Sequence, residues 1–423
     1  MEATTMTRPG FSRECLIVLV LLASFILPSA NLMAQNRLFV SPSEEERVLN
    51  AEQQQKYRFL EQQLTSARID LVRIGDLLPA LRRRTLPINL PGRLMEFSAE
   101  PTHVQYYSPD HYIWNGRLLA GSGRIALVNN QGAFTGIIQL DGQWYKIEPL
   151  GRGMHALITV DMTRLPSGDD TPPGGQGEGK QTRAHKASGG NKNIEILVLY
   201  TDAAEDAVGD IAGTAALAVN DASVAYANSA ITSSQLSIDL VGTSNISLQE
   251  SDDISDDVMD LADDTEANSR RDSFWGDVVI LLTDGDYGGG NIFGIAKEIE
   301  ADEDNAFAIV EADHATVNFT FAHELGHLQG GHHQQCSVYN RTGCDDAAGN
   351  AHGYGWTIGG GEYSWTIMHQ LGRPGDPIQY FSNPSVSSNG NATGTTQNNV
   401  AQKIRDTASS MADFRLATDS ARL

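Results

Sequence analysis

The chain has 423 residues and a formal net charge of −23 at pH 7, with 53 Asp and Glu against 30 Lys and Arg. So large a negative excess repels phosphate backbones and excludes nucleic acid as a partner. With 40% hydrophobic residues the chain can build cores, and its length exceeds what one small core needs, so two domains are expected.

Residues 1–34 carry Arg8 and Arg13, then an apolar run from Leu16 to Leu27, then Pro28 and small residues ending near Ala34. This is the pattern of a signal peptide. The run is shorter than the roughly 20 residues a spanning helix needs, so export without stable membrane association is expected. The expected location is secreted, either extracellular or periplasmic. Cys15 falls inside the removed piece, leaving Cys336 and Cys344. Two cysteines so close in an exported chain read as one disulfide bracing their loop, whereas free thiols would suit a chain retained in the cytosol.

In residues 35–164 the polar stretch from Glu44 to Leu81 predicts helix. The segment from Arg124 to Ile147 alternates apolar and polar residues around glycine turns, which predicts β-hairpins. No constellation in this β-rich unit carries chemistry. Residues 165–193 are rich in Pro, Gly, Ser and Asp and end in a basic patch with Arg183 and Lys186. They cannot bury enough apolar surface to order themselves, so an exposed linker, open to an activating cut, is expected. A unit between signal and linker is expected to be a propeptide domain. Charge divides at the same place. Residues 35–193 hold 19 Lys and Arg against 16 Asp and Glu, or +3, and residues 194–423 hold 9 against 35, or −26. A slightly basic leader can dock on an acidic body through complementary fields, or the acidity can serve solubility alone.

Residues 194–417 alternate elements. Strands are predicted at Ile194–Tyr200, Leu236–Val241, Val278–Thr283 and Asn305–Glu311. Helices are predicted at Ala215–Ser229, Asp256–Ser269 and Ala315–Gln329, with a closing helix near Val400 to Arg415. The order predicts an α/β (α+β) domain with a twisted mixed sheet above a less regular lower lobe. The acids Asp252, Asp253, Asp256, Asp257, Asp260, Asp263 and Asp264 suit calcium by their oxygens. They lack an Asp-x-Asp-x-Asp-Gly loop, and Val258 and Leu261 at helical spacing favour a solvated helix face.

From His323 to His333 the chain reads H-E-x-x-H-x-x-G-x-x-H. His323 and His327, four apart on one helix face, can offer both rings to one zinc ion at about 2 Å. Glu324 stands beside that ion without ligating it, where a general base takes a proton from water. Gly330 permits a left-handed helix end, so His333 arrives as the third ligand from outside the helix. His332 could compete as the third ligand, but the x-x-H spacing after Gly330 favours His333 and leaves His332 as a neighbour whose ring is expected to point elsewhere. Three protein ligands leave one position open, which separates a catalytic zinc site from a structural one.

This stretch resembles the metzincin metallopeptidases. In the sequence Trp365-Thr366-Ile367-Met368-His369, Met368 looks like the methionine of their characteristic turn beneath the zinc. Gln370 replaces the tyrosine ligand of some members, and Gln334 replaces the aspartate that adamalysin-like members carry after the third histidine. The sequence Gln379-Tyr380-Phe381-Ser382-Asn383-Pro384 is similar to bacterial reprolysin-like enzymes, nearest to the peptidyl-Asp metalloendopeptidases. The resemblance implies a metzincin-type catalytic domain with a zinc helix, preceded by a propeptide domain, and one catalytic zinc. It also implies protein or peptide substrates pairing with an edge strand, for which Asn305–Glu311 is the candidate.

In metzincins the segment after the methionine turn lines the pocket for the residue beyond the scissile bond. Here it contains Arg373, a candidate partner for an aspartate side chain, although Arg373 can instead pair with nearby Asp376. The chain's own propeptide is the expected inhibitor, and residues 35–193 contain no cysteine to cap the zinc. Three other readings remain. A general metzincin would lack the Asp preference. A zinc-bearing adhesion module without catalysis would be expected to lose Glu324. A gluzin-type peptidase would need a downstream glutamate, and Glu362 comes late, in a glycine-rich loop.

Overall fold

In the computed structural model residues 37–78, 85–121, 123–165, 171–174, 192–288, 292–336, 344–357, 363–370 and 376–415 are described. The expected signal peptide, most of the expected linker, Glu362 and Arg373 lie outside the described residues. Among the described residues no helix is long and apolar enough to cross a membrane.

Strict alternation builds the first unit. Ala126 and Val128 face one core while Ile125 and Leu127 face another, because successive strand residues point to opposite faces. Nine strands form one antiparallel sheet: β1 (Phe39–Val40), β2 (Ser66–Ile74), β3 (Leu86–Ile88), β4 (Phe97–Ser108), β5 (His111–Leu118), β6 (Gly123–Asn130), β7 (Ala133–Leu140), β8 (Gln143–Gly151) and β9 (Met154–Val160). Their spatial order is β1-β2-β9-β8-β7-β6-β5-β4-β3. The turn between β7 and β8 places Asp141 and Gly142 at φ of 49° and 78°, which fits a tight hairpin turn.

The helix expected over Glu44 to Leu81 is corrected here. Over residues 44–77 only α1 (Ala51–Gln62) is helical, started by a reciprocal capping box between Asn50 and Gln53, and residues 79–81 lie outside the described residues. Beyond it the chain becomes β2, where Ile69 and Leu71 pack against the α1 side of the sheet and Val72 against the other. Pairing with β9 outweighs the polar composition.

The second unit contains a five-stranded sheet ordered β11-β10-β12-β14-β13. Its strands are β10 (Asn193–Tyr200), β11 (Ser237–Asn245), β12 (Val278–Thr283), β13 (Gly294–Ala296) and β14 (Phe307–Glu311). Four run parallel and β13 runs antiparallel to β14. Both faces are covered, which is why β12 reads as an unbroken apolar run. On one face lie α3 (Ile211–Asn228), after a short α2 (Asp202–Ala207), and the motif helix described below. On the other lies α4 (Ile254–Asp263), followed by α5 (Thr265–Phe274).

Two predicted elements differ from the structure. The helix expected over Asp256–Ser269 is two helices, because Asp264 is extended (φ −68°, ψ 127°) and its carboxylate caps the second by accepting from Ala267 N at 2.7 Å. The strand Asn305–Glu311, expected at the edge, lies inside the sheet as β14. The edge is β13, which the sequence reading passed over.

The units share one apolar core. β6 and β7 lie across α3, and Trp144 meets Phe319 edge-on at 5.4 Å. Arg124 binds Asp221 of α3 through two hydrogen bonds of 2.7 and 3.0 Å, while Asn115 and Asn220 exchange amide bonds of 2.9 and 2.8 Å. Burial pushes the Asp221 carboxyl up, against the pull of Arg124.

Candidate metal centre

The helix expected from Ala315 begins later. Asn318 and Phe319 take left-handed φ of 57° and 63°, turning Phe319 toward Trp144, and α6 (Thr320–Leu328) follows. It ends where Gly330 takes a φ of 90°. Gly330 N donates to His327 O and Gly331 N to Gly326 O, both at 2.8 Å, a paired closure that reverses the chain after Gln329. This reversal brings His333 back beside the helix.

The Nε2 atoms of His323, His327 and His333 then lie 2.9 to 3.1 Å from one another. All three rings are buried, and the tautomers of His323 and His327 are fixed from behind. His323 Nδ1 donates to Ile367 O at 2.7 Å and His327 Nδ1 to Gly331 O at 2.8 Å. A carbonyl only accepts, so in the neutral ring each proton sits on Nδ1 and the Nε2 lone pair points inward. Lone pairs converging on one point repel unless a cation lies among them, and the donor set suits zinc.

Glu324, 1% exposed, follows His323 on the same helix. Gly294 of β13 stands against it, since a Cβ there would lie 2.8 Å from Glu324 Oε1. Beneath the helix, a Cβ on Gly326 would meet Met368 Sδ at 2.4 Å, so the absence of a side chain lets the helix rest on fully buried Met368. Gln334 Oε1 accepts from Gln370 N at 2.8 Å, tying the residue after His333 to the turn carrying Met368. His332 points away, its Nδ1 at 2.6 Å from Asp345 Oδ2. Cys336 and Cys344 are joined by a disulfide.

Residues 190–368 match the sequence profile of metallo-peptidase family M12, in its reprolysin branch. A peptidyl-Asp metalloendopeptidase of Stenotrophomonas maltophilia is 30% identical over 305 residues, covering 69% of this chain and 70% of the relative. One from Xanthomonas campestris pv. campestris is 28% identical over 383 residues, covering 83% and 86%. The chain belongs to family M12, among the peptidyl-Asp metalloendopeptidases. A crystal structure of metalloproteinase-II from Bacteroides fragilis superimposes with a TM-score of 0.41 at 16% identity, covering 61% of this chain and 85% of that one.

The protein is thus a zinc metalloendopeptidase acting on proteins or peptides, with mixed α and β structure. In this metalloendopeptidase the acids at 252–264 do not gather. Asp253 and Asp264 cap helices and Asp257 accepts from Ser251 N and Tyr287 OH, which disperses the carboxylates a calcium ion would need. Three site features escaped the sequence reading: Gly294 at the edge, Gly326 over Met368, and the brace from Gln334. Gly326 had a signal, being the small residue inside the motif. The other two depend on contacts distant in sequence.

One described piece of the expected linker reaches this region. Gly174 N donates to Lys297 O at 3.0 Å, just past β13, and Pro172 beside it is buried. Lys297 N in turn donates to Phe307 O at 2.9 Å, so one main-chain bond fastens the segment to the residue just beyond β13.

Proposed function

We propose that this metalloendopeptidase is exported, kept latent by residues 35–164, and after release cleaves internal peptide bonds with aspartate preferred on the carboxyl side of the scissile bond. The observation that carries the hydrolytic reading is the convergence of three Nε2 atoms beside a buried glutamate. His323, His327 and His333 hold the zinc, and Met368 floors the site. Bound zinc supplies Lewis acidity toward the scissile carbonyl and acidifies water. The Glu324 carboxylate accepts the proton of the attacking water and returns it to the leaving amine nitrogen. Extended substrate aligns along β13, whose Gly294 lets that strand lie directly against Glu324.

The aspartate preference draws on the names of the relatives and on Arg373, whose guanidinium can bind a carboxylate at two points. Latency draws on the shared core and on the 171–174 segment at the edge where substrate would add. Removal of residues 1–34 as a signal peptide accounts for export.

Glu324→Gln tests the mechanism. The variant keeps one zinc per chain and loses activity by a factor on the order of 10² or more, since it retains shape without the base. Near wild-type cleavage would refute the role of Glu324. Cleavage profiling on a proteome-derived peptide library tests the preference. Bulky apolar residues dominating that subsite, unchanged in Arg373→Ala, would leave a metzincin without aspartate preference. N-terminal sequencing of the secreted active enzyme tests latency, since a first residue well before 165 at full activity would remove the propeptide.

A further inference from the structure

At the carboxyl ends of β12 and β14 a second group of donors gathers, away from the three histidines. The strands are parallel and in register, Thr283 beside Glu311, so the residues that follow both strands meet at one end of the sheet. Crevices outside the carboxyl ends of parallel strands are common ligand sites. A cavity of about 320 Å³ lies there, lined by Asp284, Asp286, Glu311, Asp313 and His314 and walled by the end of α1 at Gln63.

We propose that this cavity binds one divalent cation of the calcium class through the carboxylates of Asp284, Glu311 and Asp313. His314 Nδ1 lies 3.0 Å from Glu311 Oε2 and 2.7 Å from Asp313 Oδ1, and the donor atoms of Glu311, Asp313 and His314 all lie within 4.8 Å of one another. That leaves Glu311 Oε1. The residue is 7% exposed, it lines the cavity, and its Oε1 has no hydrogen-bond partner among the described residues. A buried carboxylate oxygen without a partner is costly, and a cation in the cavity removes that cost.

The charges around the cavity agree. Four carboxylates line it against one imidazole, and Lys146 Nζ is engaged with Glu148 at 3.1 Å and with the Asp313 carbonyl at 2.8 Å. Burial, reinforced by neighbouring acids, pushes Asp284 up to about 7, and burial pushes Glu311 up to about 7 even against His314. Against burial, Asp313 raises His314 to about 9, and this imidazolium holds the Asp313 carboxyl low, so part of the negative charge is already offset. Oxygen donors and high negative charge favour calcium over zinc. His314, stacked on Phe293 at 3.6 Å, holds the outer oxygens of Glu311 and Asp313. The bound ion ties the loop after β12 to the end of β14, just ahead of the edge strand that meets Glu324.

The test uses the full chain carrying Glu324→Gln, stripped with a chelator and reloaded with one equivalent of zinc. Calorimetric titration with calcium chloride is expected to show one calcium per chain, with a rise in Tm. Glu311→Gln and Asp313→Asn are expected to weaken calcium binding at least tenfold at unchanged zinc content, and Asp284→Asn supplies a third variant should those two fold poorly. No calcium binding, equal binding in all variants, or uptake of a second zinc in place of calcium would overturn the site.

Discussion

Gly294 of the edge strand and Glu324 of the motif helix are in such close contact that a methyl group at 294 would lie 2.8 Å from Oε1 and 2.9 Å from Cγ of the glutamate. The backbone at 294 is not left-handed, so alanine is sterically tolerated by the chain itself. Gly294→Ala is therefore expected to fold and hold zinc while displacing the carboxylate. A displacement of about 1 Å costs roughly 10² in rate. Steady-state kinetics with zinc analysis reads this, and kcat/KM within twofold of wild type would contradict it.

Met368 and Gly326 form a coupled pair. Met368→Ala opens a cavity under the helix and should cost about 2–5 kcal/mol, whereas Met368→Leu should cost less than about 1.5 kcal/mol. Gly326→Ala should destabilise the wild type and cost less in the Met368→Ala background, where the 2.4 Å contact with Sδ is gone and Phe381 Cε1 at 3.0 Å is the nearest remaining neighbour. Denaturant titration of the four proteins measures the coupling, and additive effects would remove the contact.

The Arg124–Asp221 pair lies between the two units, with side-chain exposures of 15% and 2%. Asp221→Ala in the full chain strands the guanidinium and removes the 3.3 Å carboxylate acceptor of the Gln379 amide, whose 2.8 Å bond to the Asp221 main-chain carbonyl remains. A loss of about 3–5 kcal/mol is expected, with part of it restored when Arg124→Leu is added. Hydrogen exchange should localise the loosening to β6 and α3.

His155 sets an acid limit on the first sheet. Its Nε2 accepts from Phe134 N at 3.1 Å, and burial lowers its pKa from 6.5 to about 4. The folded state therefore binds fewer protons than the unfolded state between these values. The stability His155 contributes is complete above about 6.5 and is lost as pH falls through about 4, by at most about 3 kcal/mol. Gln keeps an acceptor and does not titrate. His155→Gln should flatten this part of the stability profile, measured by urea unfolding at several pH values.

The motif helix, its ending at Gly330, the disulfide and the buried strand β12 were legible because each depends on residues close in sequence. β13 was not. It spans three residues, too few for alternation to register, and it is a strand only because β14 lies beside it. The break at Asp264 was hidden because one residue ends a helix and caps the next, and the late start of α6 goes with a left-handed turn at Asn318 and Phe319 whose ring packs on Trp144, far away in sequence. Glu311-Ala-Asp-His314 places three donors within four residues at a strand end, a signal present in the sequence and passed over.

The three imidazoles span only 11 residues, from His323 to His333. Closing so short a loop around an ion costs little chain entropy, so even an incompletely folded chain can capture metal. The carbonyl that orients His323 and the sulfur beneath the helix come from about forty residues further on. Loading and competence are therefore separable events. Metal content alone reports that a short peptide has closed, and only turnover reports that the distant floor has arrived.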